Sequence, residues 1–404
     1  MNEIRYSSPL TRYPSHKAIA LYSGGLDSTL AILTVLKQGI EVKAVTFLTH
    51  FGCDISDRSS CSKNPFSAAE KFGFEVKLCH LSEKFIDIVK NPKFGHGRNM
   101  NPCVDCRILM LKEAGEFMRM TGAGFIITGE VLGQRPMSQR RDALDIIDRE
   151  AGLKGHVLRP LSAKLLKPTV AEEKGIIKRE LLHEFTGRSR KPQIALAKEF
   201  GLTDYPSPAG GCLLTEPNYS YRLRELLEHD TNPSITDLNL LRTGRHFRFS
   251  QGCKVIVGRN KAENEALLAL SNDNIIKEFI SKAPSPSPSP SRGEGCNISP
   301  PLRGGDEGEG VASGFTKDRI SIYMKVEGFG SPIAIIIGDA TEAIIETAAS
   351  ICARYSDARR LSQVEVKVFD GDSIFRIKVS PADDLIIDKY KIEKRINSRA
   401  LLGI

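Results

Sequence analysis

Short apolar runs alternate with longer amphipathic runs through the first 150 residues of the chain. The short runs are rich in β-branched residues, which favours strands, whereas the longer ones carry apolar residues at helical spacing. Strands separated by helices indicate a parallel sheet with helices on both faces and ligands at the carboxyl ends of the strands. We therefore predict an α/β domain with a doubly wound parallel sheet, its strands at 17–22, 41–48, 74–81 and 123–130 and its helices at 27–39, 67–73 and 106–122.

After about residue 150 the pattern becomes irregular and polar, and a different arrangement follows. Residues 246–271 predict a hairpin and an amphipathic helix, and residues 333–379 predict a strand, a helix and two further strands. We predict a smaller α+β C-terminal domain, with domain limits at 1–232 and 233–404. Residues 283–314 are dense in Pro, Ser and Gly and poor in large apolar side chains, so we predict a disordered insert in that domain.

Composition excludes some classes of protein. No run of about 18 apolar residues occurs, and the N-terminal residues lack the apolar centre of a secretory signal, so we expect a cytoplasmic protein with no membrane partner. The 9 cysteines, an odd number scattered over the chain, argue against a disulfide framework. The formal net charge of +8 suits a polyanionic partner, and it is equally typical of a basic soluble enzyme.

The stretch SGGLDS, residues 23–28, follows the first predicted strand and opens the first predicted helix. Glycines allow a ligand to approach the backbone closely, and the free N–H groups of a helix start attract anions. We interpret the turn as a phosphate site formed by Ser23, Gly24, Gly25, Asp27 and Ser28. Asp27 would hold Mg²⁺ against the phosphates, or else it would cap the helix.

Three cysteines form a second candidate site. Cys103 and Cys106 are three residues apart at the start of a predicted helix, where the helix N-terminus and the neighbouring Arg107 are expected to lower thiol pKa values. Cys212 lies far along the chain on a Gly- and Pro-rich loop. A C-x-x-C pair fits half a zinc site, a redox pair, a cluster anchor or a sulfur carrier. Cys53 and Cys61 could complete a metal site, but we expect them to be structural or incidental.

The SGGLDS turn resembles the SGGxDS loop of the PP-loop, or N-type ATP pyrophosphatase, superfamily. This resemblance implies cleavage of ATP between the α and β phosphates to adenylate a substrate. Residues 128–139, TGEVLGQRPMSQ, resemble a motif of ThiI-type 4-thiouridine synthases, with one extra residue before Ser138. By that resemblance, Gly129 and Gln139 would contact the nucleotide. The stretch NPCVDC is more similar to 2-thiouridine synthases of the MnmA type.

Cys103, Cys106 and Cys212 resemble the cysteine trio of PP-loop enzymes that thiolate tRNA. The resemblance implies one of two chemistries: a persulfide relay that ends in a disulfide, or a [4Fe-4S] cluster on the three thiolates whose fourth iron binds hydrosulfide. In either case the expected catalytic residues are Asp27 and the three cysteines, with ATP and Mg²⁺ as cofactors. The sulfur donor would be a cysteine desulfurase, a sulfur carrier or sulfide.

The chain also resembles an RNA-binding protein. Residues 255–270 together with 348–369 are similar to the NFACT-R RNA-binding domain. Near the predicted ligand edge lie basic residues that would bind tRNA phosphates or simply form a solvated face: Arg135, Arg140, Arg141, Arg188, Arg190 and Lys191.

We therefore predict an ATP-dependent tRNA sulfurtransferase that replaces a uridine carbonyl oxygen with sulfur. Two alternatives remain open. One is a PP-loop amidotransferase or ligase that adenylates a substrate other than tRNA. The other is an RNA-binding adaptor with a degenerate nucleotide site.

Overall fold

The computed structural model describes residues 16–51, 65–205, 212–270, 320–371 and 373–393. The chain divides into two compact units, Met1–Ser220 and Tyr221–Ile404. This division lies N-terminal to the predicted limit at residue 232. Cys53, Cys61 and the predicted insert at 283–314 lie outside the described residues. Among the described helices, none combines the length and the apolar character needed to cross a membrane.

The first unit is built around a five-stranded, entirely parallel sheet in the order β3-β2-β1-β4-β5. The strand and helix bounds, in chain order, are β1 Lys17–Leu21, α1 Leu26–Leu36, β2 Glu41–Leu48, α2 Pro65–Phe72, β3 Glu75–His80, α3 Ser82–Lys90, α4 Cys103–Thr121, β4 Phe125–Thr128, α5 Arg141–Glu150, β5 Val157–Leu158, α6 Val170–Glu173 and α7 Lys191–Glu199.

Successive residues of a strand point to opposite faces, so each central strand supplies two cores. Ala20 of β1 packs in one core, with Leu30 of α1 and Ala197 of α7. Ile19 packs in the other, with Leu111 of α4. Helices therefore cover both faces of the sheet, and the predicted doubly wound α/β fold is confirmed.

The register of the sheet brings two sequence motifs together. Leu21, the last residue of β1, pairs with Thr128, the last residue of β4. The chain continues from these positions into the SGGLDS turn and into the stretch beginning Gly129-Glu130. Both motifs therefore leave the sheet at the same carboxyl edge, which is where a doubly wound sheet places its ligands.

The second unit contains a six-stranded antiparallel sheet in the order β11-β10-β8-β9-β7-β6. A helix packs on one face of it, through Ala349, Ile351 and Ala353. The predicted hairpin, the helices after it and the two late strands are confirmed, whereas the sequence analysis did not assign β8 or the last helix. The bounds are α8 Pro217–His229, which crosses the division between the units, α9 Ile235–Leu240, β6 Arg245–Arg248, β7 Lys254–Val257, α10 Lys261–Leu268, β8 Ile320–Val326, β9 Ala334–Ile337, α11 Glu342–Arg354, β10 Val364–Phe369, β11 Ile374–Val379 and α12 Asp384–Tyr390.

Candidate nucleotide and thiol site

The SGGLDS turn joins β1 to α1 and leaves the start of the helix open. Gly24 has φ +72°, a left-handed conformation that favours glycine. Gly25 is the N-cap of α1, and no side chain caps the helix there. The Ser28 hydroxyl donates instead to the Gly25 carbonyl at 2.9 Å and lies 3.2 Å from the Ser23 hydroxyl. The first N–H groups of α1 therefore remain available to an anion, as predicted for a phosphate site.

Asp27 lies in the first turn of α1 and is not its cap, which removes that alternative. Its Oδ2 accepts a hydrogen bond from Gln134 at 3.1 Å. Its Oδ1 is buried and has no hydrogen-bond partner among the described residues. Burial raises the pKa of Asp27, while Gln134, Arg190 and Arg135 act in the opposite direction. An orphaned carboxylate oxygen beside an anion site is a suitable ligand for Mg²⁺.

Gly129 brings the end of β4 against the first turn of α1. A Cβ at this position would lie 2.5 Å from the Ser28 nitrogen and 2.7 Å from the Asp27 carbonyl carbon, so the approach requires glycine. Gln139 is 3% exposed, and its main-chain carbonyl accepts from Gly133 at 2.7 Å. Its side-chain Oε1 has no partner among the described residues. Whether Gly129 and Gln139 contact a nucleotide stays a prediction, but both lie at the loop edge.

The cysteine pair occupies the start of α4, with Pro102 as the N-cap. Asp105 fixes the preceding loop to this helix, because its carboxylate accepts from the main-chain nitrogens of Lys93 at 3.0 Å and Phe94 at 3.1 Å. The position of Cys103 in the first turn is therefore fixed by the fold, and the predicted placement of the pair at a helix start is confirmed.

Two sets of hydrogen bonds tie the Cys212 turn to the rest of the unit. The Cys212 thiol donates to the Phe51 carbonyl at 3.2 Å. On the other side, the Met100 nitrogen donates to the Leu214 carbonyl at 3.2 Å, and Asn99 donates to the Thr215 carbonyl at 2.7 Å. Asn99 and Met100 lie just before the cysteine pair. These bonds bring Cys212 to the start of α4 from more than 100 positions away in the sequence.

The thiols differ from the prediction in their acidity. Burial raises the pKa of Cys106 to about 12, even though Arg107 acts to lower it. Burial also raises the pKa of Cys103, against the opposing effects of Arg107 and Arg135. The prediction of lowered thiol pKa values was wrong, because desolvation outweighs the helix N-terminus and the neighbouring cations. Cys103 and Cys212 also act to raise the pKa of Cys106.

The described residues include no group of three His, Cys, Asp or Glu side chains arranged to hold a metal ion. The three thiols therefore do not form a ready metal site in this arrangement. A [4Fe-4S] cluster on Cys103, Cys106 and Cys212 stays a prediction.

A buried ionic network behind the site was missed by the sequence analysis. Glu130 accepts from Arg159 at 3.0 Å and lies 3.5 Å from the Arg107 guanidinium. Arg159 also donates to Asp148 at 2.8 and 2.7 Å. The signal available in the sequence was Glu130, an acid between the end of a buried strand and Val131. Its partners come from distant elements, so only the fold reveals them.

The predicted basic residues separate into two groups. Arg135 and Arg190 lie close enough to Asp27 to influence its carboxylate. Arg140 pairs with Asp142 at 3.1 Å, and Arg141 donates to the Leu165 carbonyl at 2.8 Å. Arg188 and Lys191 are exposed. The contact of these residues with tRNA stays a prediction.

Family comparisons agree with this division into two units. Residues 13–170 match the family model described as thiamine biosynthesis protein (ThiI). Residues 244–287 and 303–391 match the NFACT protein RNA binding domain. The first unit is thus similar to the ThiI family over residues 13–170, and the second is similar to the NFACT RNA binding domain.

Curated relatives match the first unit. A probable tRNA sulfurtransferase of Lysinibacillus sphaericus is 32% identical over 163 residues, which are 39% of this chain and 38% of that protein. A bifunctional NifU/MnmA protein of Rubrobacter xylanophilus is 31% identical over 164 residues, covering 38% and 32% of the two chains. The chain thus spans less than two fifths of the length of these relatives.

Two solved structures are similar at lower identity. The U34-tRNA thiolase NcsA of Methanococcus maripaludis, with its [4Fe-4S] cluster, is 16% identical, with a TM-score of 0.27 over 57% of this chain and 73% of that chain. The C-terminal part of a fibronectin/fibrinogen-binding protein of Streptococcus suis is 14% identical, with a TM-score of 0.23 over 44% and 63%. Likenesses of this degree carry no argument about the chemistry of this chain.

Proposed function

We propose that the chain is an ATP-dependent tRNA sulfurtransferase that adenylates a uridine carbonyl oxygen and replaces it with sulfur. The observation that carries this proposal is a short chain of contacts: Arg107, next to Cys106, lies 3.5 Å from Glu130, and the preceding Gly129 packs against the backbone of Asp27 and Ser28. The phosphate loop and the cysteines are therefore close neighbours. A nucleotide loop alone would fit any adenylating enzyme, but the three adjacent thiols favour sulfur chemistry.

In the first step, the N–H groups at the start of α1 bind phosphate oxygens of ATP, and Asp27 holds Mg²⁺ through its unpartnered oxygen. Bound there, Mg²⁺ supplies charge neutralisation at the phosphates. The uridine oxygen attacks the α-phosphorus, and the bond to the pyrophosphate breaks. The carbonyl oxygen thereby becomes part of an AMP leaving group. The Ser23 hydroxyl could donate to the same phosphates, and Ser28 could do so once its hydroxyl turns away from the Gly25 carbonyl.

In the second step, a persulfide on Cys212, loaded by a persulfide-bearing donor protein, attacks the adenylated carbon, and AMP leaves with the C–O bond pair. The Cys103 thiolate then attacks the Cys212 sulfur. The S–S bond breaks, its electron pair stays on the transferred sulfur, and a Cys212–Cys103 disulfide forms. A dithiol reductant restores the two thiols after each turnover. Cys103 suits this resolving role better than Cys106, because two arginines favour its thiolate.

The tRNA partner fits the composition of the chain. The formal net charge is +8, and the second unit matches an RNA-binding family. We propose that the second unit holds the tRNA while the first unit performs the chemistry. We also propose a cytoplasmic location, where ATP and tRNA are available.

The test is thiolation of unmodified tRNA by the purified full chain with ATP, Mg²⁺, a persulfide donor and a dithiol. Cys212→Ala should abolish formation of thiouridine while leaving ATP binding unchanged. Asp27→Asn should reduce tRNA-dependent release of pyrophosphate about a hundredfold or more, because it removes the anionic ligand for the Mg²⁺ that would neutralise the phosphates. Cys79→Ala, a thiol on β3, is the matched control and should retain full activity.

Three results would redirect the proposal. Full thiolation by Cys212→Ala would remove this cysteine from the mechanism. Release of pyrophosphate that tRNA does not stimulate would favour the adenylating amidotransferase or ligase. Failure of the wild type to turn over ATP would favour the RNA-binding adaptor. Iron and acid-labile sulfide analysis after anaerobic purification separates a [4Fe-4S] enzyme from the persulfide relay. The control is the variant in which Cys103, Cys106 and Cys212 are all replaced by Ala.

A further inference from the structure

The segment at 186–193 lies along the nucleotide edge, although the ThiI match ends at residue 170. Leu132 forms a parallel bridge with Thr186. The Gly187 nitrogen donates to the Leu132 carbonyl at 2.8 Å, and the Thr186 hydroxyl donates to the same oxygen at 3.1 Å. Gly133, with φ +74°, approaches the Gly187 nitrogen closely. These contacts fix the start of α7 beside the stretch that holds Asp27 through Gln134.

Several buried polar atoms near this edge have no hydrogen-bond partner in the described part of the chain. They are Oδ1 of Asp27, Oε1 of Gln139, Nε of Arg190, and both amide atoms of Gln193. Gln193 is 0% exposed. An unsatisfied buried polar group costs about 1–3 kcal/mol. Asp27 lies on α1, and α7, which begins after Arg190 and carries Gln193, packs on α1. Unsatisfied polar atoms on these two packed helices indicate a missing polar ligand.

The charged side chains around Asp27 indicate that this missing ligand is an anion. Arg190 is the N-cap residue of α7 and lies within electrostatic reach of the Asp27 carboxylate, as does Arg135. No ion pair of Arg190 is found among the described residues, whereas Arg140 nearby has a carboxylate partner in Asp142. Two cations beside one carboxylate and an open helix start leave an excess of positive charge. A polyphosphate with Mg²⁺ balances such a site.

We propose that Arg190 is a nucleotide-binding residue whose guanidinium contacts phosphate oxygens of the ATP held by the SGGLDS turn. The identity of the nucleotide rests on the proposed function; the anion site itself rests on the contacts above. This assignment replaces the expectation that Arg190 binds tRNA phosphates with the exposed basic residues.

The test compares Arg190→Gln with Arg188→Gln in the full chain. Arg188 is two residues away and exposed, so it reports the general effect of losing one charge from this segment. Isothermal titration with Mg-ATP should show an increase in Kd of about tenfold to a hundredfold for Arg190→Gln, because a hydrogen-bonded charge contact is lost. Arg188→Gln should change Kd less than about twofold, as surface charges separated from a ligand contribute little.

Arg190→Lys keeps the charge but not the planar fork and should recover part of the lost affinity. Circular dichroism and thermal unfolding of each variant check that the fold is intact. The proposal is overturned if Arg190→Gln binds ATP like the wild type, or if both glutamine variants weaken ATP binding equally. A loss of tRNA affinity by Arg190→Gln with unchanged ATP affinity would also overturn it and return Arg190 to the RNA surface.

These outcomes are separable from failure of the proposed function. If the wild type binds ATP and forms no thiouridine, and Arg190→Gln loses ATP binding, the role of Arg190 is supported and the proposed sulfur transfer is refuted. If the wild type forms thiouridine and Arg190→Gln binds ATP normally, the proposed function is supported and the role of Arg190 is refuted.

Discussion

The two units bury their ionic groups in different ways. In the first unit, Arg159 is 4% exposed and lies between two carboxylates, donating to Glu130 and twice to Asp148. Burial alone would raise the pKa of Glu130, but Arg159 and Arg107 lower it overall. The acid therefore stays ionised within the fold, directly behind the phosphate loop.

In the second unit, Lys254 of β7 is 7% exposed, and the closest carboxylate oxygen of Glu225 is 3.9 Å away. The other oxygen of Glu225 is paired with Arg248. Burial lowers the pKa of Lys254 to about 8, and Glu225 only partly opposes this effect.

The difference shows that hydrogen bonding, rather than charge pairing alone, determines what a buried charge contributes. A buried pair recovers its desolvation penalty only when geometry is good and the remaining donors and acceptors are satisfied. Arg159 meets this condition with three hydrogen bonds to carboxylates at 2.7–3.0 Å, whereas Oε1 of Glu130 has only the ion pair with Arg107 at 3.5 Å. Lys254 does not meet it, so its charge works against the fold of the second unit.

The largest effect is expected from breaking the first network. Arg159→Met should lower the free energy of unfolding of the first unit by about 3–5 kcal/mol, because Glu130 and Asp148 lose a shared buried partner. Urea denaturation followed by circular dichroism measures this change. Arg119→Met, which breaks the exposed pair with Glu116, is the control and should cost less than about 1 kcal/mol. Equal effects of the two substitutions would contradict the comparison.

A smaller effect, of opposite sign, is expected in the second unit. Lys254→Met should raise the free energy of unfolding by about 3 kcal/mol at pH 7, since a shift of one pKa unit corresponds to about 1.4 kcal/mol. The folded-state pKa of Lys254, about 8, lies below the ordinary value of 10.5, so the unfolded chain binds the proton more tightly. The penalty is therefore complete below pH 8 and disappears as the pH rises to about 10.5.

The gain from Lys254→Met should vanish over the same range, from pH 8 to about 10.5. Chemical denaturation of both proteins at a series of pH values measures it. A gain that does not change with pH would show that the methionine acts through packing and not through the charge.

The smallest effect is expected at Gly129, which packs closely against the backbone of the first turn of α1. Gly129→Ala should cost about 1–3 kcal/mol, because the added Cβ would press on the backbone of Asp27 and Ser28. Gly115→Ala is the control, since its Cβ would meet only Leu153 atoms at 3.5 Å and the position is helical. It should be neutral or stabilising. Thermal unfolding compares the two, and a neutral Gly129→Ala would contradict the tight approach.

Hydrophobic periodicity was sufficient to predict the parallel sheet, because β1, β2 and β4 are buried on both faces and read as continuous apolar runs. The strand β8 was not predicted, although its apolar residues alternate along ISIYMKV, residues 320–326. The placement of the cysteine pair was predicted, but its acidity was not, because desolvation of Cys106 depends on what packs around it.

The sequence by itself determined the α/β class, the position of the phosphate loop and the candidate residues, because strand and helix periods and short motifs are local properties. The tertiary structure alone decided which distant groups meet. It placed Arg159 between Glu130 and Asp148, and Arg190 beside Asp27. The physical reason is that burial, charge pairing and hydrogen-bond satisfaction depend on long-range packing, which no local pattern of residues encodes.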